Sequence, residues 1–160
     1  MLFNQEIDTW NDIVNQTYDI EFDFIAIDEV GRLGVFSTFN RSYRPACVTQ
    51  SFNQFLSLDK LIDTQPKITT ACFAKPSANM ASFADWKYYA ELGFFAYDNQ
   101  DVHKTKPDKQ YQYDIIFRPD TPLHFKQLPQ LSEYLNIIPR FNLAFGDNIR
   151  FDKMQATLIE

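Results

Sequence analysis

The sequence predicts an α+β fold: a single domain over residues 1–160, with a mixed or antiparallel sheet and about four helices. Three observations carry this. The length suits one domain, and a composition that is 45% hydrophobic with 16 Phe, 8 Tyr and 2 Trp supplies enough apolar mass for a real core. Strand-like runs are mostly linked at hairpin spacing. Helical spacings fall between them irregularly, without the regular alternation of a doubly wound parallel sheet.

The elements follow in order. Phe3, Ile7, Trp10 and Val14 recur at helical spacing, which predicts an amphipathic helix over 4–15. "DFIAIDEVGRLGVFST" then reads as strand, turn and strand. Ile25 and Ile27 are apolar beside Phe24 and Ala26, as expected of a strand buried on both faces. Glu29 to Arg32 supply the turn, where Gly31 takes a positive φ cheaply, and Leu33 to Phe39 return. "RSYRPACV" is a loop or irregular edge, because Pro45 has no N–H to give a ladder. Ser51 and Gln54 stand at capping-box spacing ahead of a helix whose apolar face is Phe52, Phe55, Leu58 and Ile62.

Residues 68–73 fit a short strand, and "AKPSANMAS" a loop. Ser82 opens a third helix with Asp85 in its first turn. Phe83, Trp86 and Ala90 form its stripe, and Gly93 suits a left-handed C-terminal cap. "FFAYD" and "YQYDIIFRP" are strands separated by the polar loop 98–110, which is longer than an ordinary connection. Pro129 opens a fourth helix through Leu131, Leu135 and Ile138. "FNLAF" and "IRF" resemble a last hairpin turning at Gly146, Asp147 and Asn148.

Charge and motifs narrow the function by exclusion. A net charge of −6 without any run of Lys or Arg disfavours nucleic acid and anionic membranes as partners. No apolar stretch is long enough to span a bilayer. "MLFNQEIDTW" has neither a basic nor an apolar leader region, so a cytoplasmic location is expected, with Cys47 and Cys72 as reduced thiols. Four scattered glycines make no phosphate-binding loop, and no cofactor is expected. His103 and His124 are far apart and form no metal-ligand spacing, so no metal is expected either.

Reactive groups are few. Cys47 would be a nucleophile only with His103 or His124 alongside, and otherwise is a small buried hydrophobe; Cys72, inside an apolar strand, reads as structural. Asp28 and Glu29 form a carboxylate pair at the hairpin turn, open to acid–base chemistry or simple solvation. Arg32, Arg41 and Arg44 cluster near the returning strand, for an anion or for surface pairing. Tyr88, Tyr89, Phe94 and Phe95 offer an aromatic binding face, although most of them should be core.

Three stretches together resemble a known group. "FIAIDEVGRLGVFST", "ADWKYYAELGFFAYD" and "YDIIFRPDTPLHFKQLP" are similar to landmarks of the SUKH-like immunity proteins of bacterial toxin systems. "NDIVNQTYDIEFDF" stands where those proteins carry an early helix and a Gly-Gly turn, and no site residue is carried over from them. The resemblance implies a non-enzymatic protein that neutralises a toxin by direct binding, and an acidic chain suits a basic toxin domain as partner. Acidic side chains are the expected contacts: Asp98, Asp101 and Asp108 around the long polar loop, with Asp28 and Glu29 as a second patch. Two other classes stay open: a regulatory or ligand-binding domain with an aromatic-lined pocket, and a small enzyme using Cys47 or Asp28 and Glu29.

Overall fold

The computed structural model of the protein describes residues 7–17, 20–39, 42–74, 83–99 and 111–151. Within them lie helices α1 (Ile7–Asn15), α2 (Phe52–Asp63) and α3 (Ala84–Glu91). The strands are β1 (Glu21–Ile27), β2 (Leu33–Phe39), β3 (Ala71–Phe73), β4 (Phe95–Asn99), β5 (Gln112–Pro119) and β6 (Ile149–Arg150). The strand order is β1-β2-β4-β5-β3, with β6 also on β5. The β2–β4 pair is parallel and the other strand pairs are antiparallel, so the fold is α+β around one mixed sheet.

The period-2 alternation of the strands sorts side chains onto two faces. Phe24, Phe36, Tyr97 and Tyr113 share one face. Phe36 stacks between Phe24 at 5.2 Å and Tyr97 at 4.7 Å, and meets Tyr113 edge-on. Phe141 and Phe145 close over the same ring. Gly34 leaves room for this closure, because a Cβ there would stand 2.8 Å from the Phe145 ring. The opposite face carries Val35, Ala96 and Phe117, beneath α3, which packs on β3, β4 and β5. Phe73 bridges Phe83 and Phe117 there.

The hairpin forms as its residues predict, in the register Ile27↔Leu33 through Glu21↔Phe39. Gly31 adopts φ 95°. Gly93, at φ 96°, ends α3 as a left-handed cap.

Other expectations are corrected. In α1 the buried residues are Trp10 and Ile13, while Ile7 and Val14 are exposed, because the Trp10 ring turns onto Phe52 and Phe55 of α2. Ser51 caps α2 by accepting from the Gln54 N–H, but the Gln54 amide does not reach back. It donates instead to Asn136 Oδ1 at 3.1 Å, tying α2 to the distant 129–138 segment. The strand expected over 68–73 is confined to Ala71–Phe73, at the outer edge of β5, which leaves Cys72 exposed. The start of α3 is at Ala84, and Ser82 lies outside the described residues. Residues Pro129–Tyr134 form a 3-10 helix, not an α-helix continuing to Ile138; the Ile137 and Ile138 N–H groups both fold back to the Tyr134 carbonyl.

The last hairpin does not form either. Residues 139–141 lie beside β1, with Ile27 N donating to Pro139 O and Phe141 N donating to Ile27 O, while Ile149–Arg150 pair with β5. Among the described residues no helix is long and apolar enough to cross a membrane.

Candidate functional site

Asp28 sits at the end of β1, where the chain must turn through Gly31 into β2. Its side chain is fully buried. Oδ1 accepts from the Val30 N–H at 3.0 Å and the Arg32 N–H at 2.8 Å. Oδ2 accepts from Arg32 Nε at 2.8 Å and from the Phe145 N–H at 3.0 Å. The Arg32 guanidinium goes on to the Phe145 carbonyl and lies over the Phe95 ring. His124 completes the turn. Its Nδ1 accepts from the Lys126 N–H, which leaves Nε2 as the protonated nitrogen, donating to Val30 O at 2.9 Å. A Cβ on Gly31 would lie 2.2 Å from that Nε2.

The turn is therefore a clasp that holds the 141–145 segment to the sheet. The expectation of a solvated Asp28–Glu29 patch is corrected for Asp28: its carboxylate is walled in and satisfied, and only Glu29 is exposed. The two carboxylates do not converge as an acid–base pair. Asp98 is not a loop residue but a half-buried member of β4. Asp101 and Asp108 lie outside the described residues, as do Arg41 and His103.

The sheet register brings together a different set. Asp23 pairs with Ser37, Ser37 with Asp98, and Asp98 with Asp114. A carboxylate, a hydroxyl and two more carboxylates thus run across four strands on the α3 side. Like charges directly opposite each other on a sheet are unfavourable unless other groups offset them. Ser37 Oγ donates to Asp23 Oδ1 at 2.6 Å. Asp114 accepts from Gln112 Nε2. Desolvation pushes the Asp23 carboxyl up to about 7 despite the Ser37 bond, and Asp85 and Glu21 add to the push.

Tyr89 lies four residues after Asp85 on α3 and packs on the Tyr88 and Phe94 rings. It is 2% exposed, and its hydroxyl has no hydrogen-bond partner. Burial raises its phenol well above the ordinary tyrosine value, and Asp23, Asp59, Asp63 and Asp85 all act in the same direction. Two other buried tyrosines show the contrast. The Tyr97 hydroxyl accepts from the Gly146 N–H, and the Tyr113 hydroxyl bonds to Tyr43 O and Thr38 Oγ1. The other three of the four aromatics, Tyr88, Phe94 and Phe95, are packed against the core, as expected.

The remaining reactive groups do not assemble. Cys47 is half-buried in the 3-10 turn Ala46–Thr49, and burial pushes its thiol up, away from the thiolate. His124, the histidine among the described residues, is committed to the hairpin clasp. No group of three or more His, Cys, Asp or Glu among the described residues could hold a metal ion. A cleft of about 470 Å³ opens beside the end of α1, lined in part by Tyr43, Arg44 and Tyr111. The Arg44 guanidinium donates to Ile13 O and lies over the Phe22 ring.

Sequence reasoning missed Asp23, Ser37, Asp59, Asp63, Asp85 and Tyr89. One signal was present: Asp23 is an acid between Phe22 and Phe24 in a mostly apolar strand. Comparison with protein-family models, with curated proteins and with solved structures finds no match.

Proposed function

We propose that this protein is a non-catalytic binding module that engages a basic protein partner, in the manner of an immunity protein neutralising a toxin by direct binding. The observation that carries this reading is the acidic balance of the chain, a net charge of −6 without a run of Lys or Arg, with Asp63 and Asp85 exposed among the described residues. An acidic field of this kind accelerates encounter with a basic surface. The SUKH-like resemblance of the sequence points the same way. The engagement of Asp28 in the hairpin clasp and the elevated Cys47 thiol weigh against the enzyme reading.

The test uses a basic toxin domain encoded beside the gene as the probe. Reversing the exposed Asp63 and Asp85 to lysine should slow association about tenfold at low salt, and much less at high salt. Association that is unchanged at both salts, in a variant that still folds, would overturn the reading.

A second reading rests on the cleft at Tyr43, Arg44 and Tyr111, whose volume of about 470 Å³ is that of a small-molecule site. Its paired tyrosine rings and guanidinium suit a flat anionic ligand. Saturable thermal stabilisation by an aromatic carboxylate, lost in Arg44→Leu, would favour it.

A further inference from the structure

β3 stands at the end of the strand order, with β5 on one side and an open edge on the other. The phase of its bonds to β5 is fixed by two neighbours: Asp120 N donates to Thr70 O, and Ala74 N donates to Ile116 O. In the register Cys72↔Arg118, the N–H and C=O of Cys72 therefore face β5 as well. Those of Ala71 and Phe73 face outward, and among the described residues nothing bonds to them. The opposite edge of the sheet is treated differently. There Ile27 is bonded to the 139–141 segment, and Ile25 and Ala26 of β1 are buried. An open strand edge is a template for another strand, and proteins commonly guard it with charge or proline. Residues 68–74, "ITTACFA", contain neither.

We propose that the open edge of β3 pairs antiparallel with β3 of a second copy of this chain, about a two-fold axis at Cys72. This goes beyond the proposed function and does not rest on it. The bonding phase selects the occupant. About that axis Ala71 of one copy stands opposite Phe73 of the other, and each such pair exchanges both of its N–H···O=C bonds. The outward groups of the strand are thus complementary to themselves. Pairing in this way uses up the edge, so assembly closes at the dimer. The net charge of −6 opposes self-association in general, but the paired segment itself carries no charge. Phe73 is already packed on Phe83 and Phe117, so the strand is held extended before a partner arrives. A strand of 3 residues buries far less than the roughly 1,200 Å² of a stable interface, so the dimer is weak and forms as the chain is concentrated. The exposed Cys72 meets its own copy as a non-hydrogen-bonded pair, with Cα atoms about 4.5 Å apart. A disulfide spans that separation.

Cys72 therefore reports the geometry. In a Cys47→Ser chain treated with oxidised glutathione, two Cys72 thiols are oxidised to one S–S bond. The glutathione disulfide is reduced to two thiols, which take up the two protons. The covalent dimer should form about tenfold faster than in a control chain whose one thiol is supplied by Ser132→Cys, an exposed position on the 3-10 helix beside α2. Ala71→Pro removes an outward N–H and no bond to β5, so it should bring the Cys72 rate down to that of the control. A second measurement needs neither the thiol nor the proline. In a Cys72→Ser chain the Ala71 and Phe73 amide resonances should shift as the chain is concentrated, while the amide at position 72 stays in place. Equal rates at Cys72 and in the control, an undiminished rate in a folded Ala71→Pro chain, or Ala71 and Phe73 amides indifferent to concentration would each overturn the proposal. A strand of a different protein as the occupant would leave this chain monomeric throughout, which overturns it too. The charge-reversal test at Asp63 and Asp85 is independent of all these outcomes.

Discussion

Asp28 and Asp23 lie five residues apart on the same hairpin, and the fold treats them in opposite ways. Asp28 is sealed from solvent but receives four hydrogen bonds, two of them from backbone N–H groups in its own turn and one from Phe145 far along the chain. Asp23 is less deeply placed, yet it has Ser37 as a side-chain donor and other acids as electrostatic neighbours. The difference teaches where a carboxylate serves the fold and where it is held against the fold's interest. A satisfied buried acid anchors two segments together. An acid taken out of water without enough donors titrates high and lowers stability wherever it is charged.

The largest effect is expected from breaking the anchor. Asp28→Ala strands the Arg32 guanidinium and the Phe145 N–H at once, and should cost about 3–5 kcal/mol in urea denaturation. A loss below about 1 kcal/mol would show that the 141–145 segment is held by its aromatic packing alone.

The second expected effect has the opposite sign. The folded Asp23 carboxyl is raised to about 7 from an ordinary value of 3.8, so the folded state binds this proton more tightly than the unfolded chain. Its contribution is greatest below the unfolded value and declines as pH rises from about 4 to about 7, remaining low above that. Asp23→Asn should therefore leave stability nearly unchanged at pH 4 and raise it by about 1–3 kcal/mol at pH 8. Denaturation curves at the two pH values measure this directly, and an equal shift at both would remove the role assigned to the charge.

The smallest effect sharpens the comparison by removing the one donor. Ser37→Ala should cost about 1 kcal/mol and move the Asp23 titration still higher, since the Ser37 bond is the larger of the influences that lower it. The carboxyl carbon shift of Asp23 across pH 5–9 reports the change.

The fold was legible where local chemistry and tertiary demand agree. The strand–turn–strand at 21–39 needed a glycine with positive φ and two β-favouring arms, and both stand in the sequence. Gly93 was equally legible, because a helix terminus asks for a left-handed residue wherever it is buried. Legibility failed where partners come from far away. Nothing near Gln54 indicates Asn136, so the capping box read complete. The 141–145 run has strand character, but its hydrogen bonds go to Ile27 and Glu29 and not to the neighbouring 149–150. The site failed for the same reason. Asp28 and Glu29 are adjacent in sequence and read as a pair, whereas Asp23, Ser37, Asp98 and Asp114 come together only through sheet register.

The parallel seam between β2 and β4 governs how the molecule is assembled and taken apart. The β1–β2 hairpin closes over a turn of a few residues, an event of about 1–10 μs for hairpins generally. The β2–β4 pair closes only after residues 40–94 have been gathered, since that whole stretch lies between the partner strands. Contacts of such sequence separation raise the contact order and slow folding. The molecule is in this sense the β1–β2 hairpin joined at a late seam to the antiparallel group of β4, β5, β3 and β6, and interactions made last are those that govern the rate of unfolding. The contacts of the 139–145 segment with Ile27, Asp28 and Glu29 span a longer stretch still, so resistance to forced or proteolytic opening resides in these long-range closures and not in the hairpin that was easiest to read.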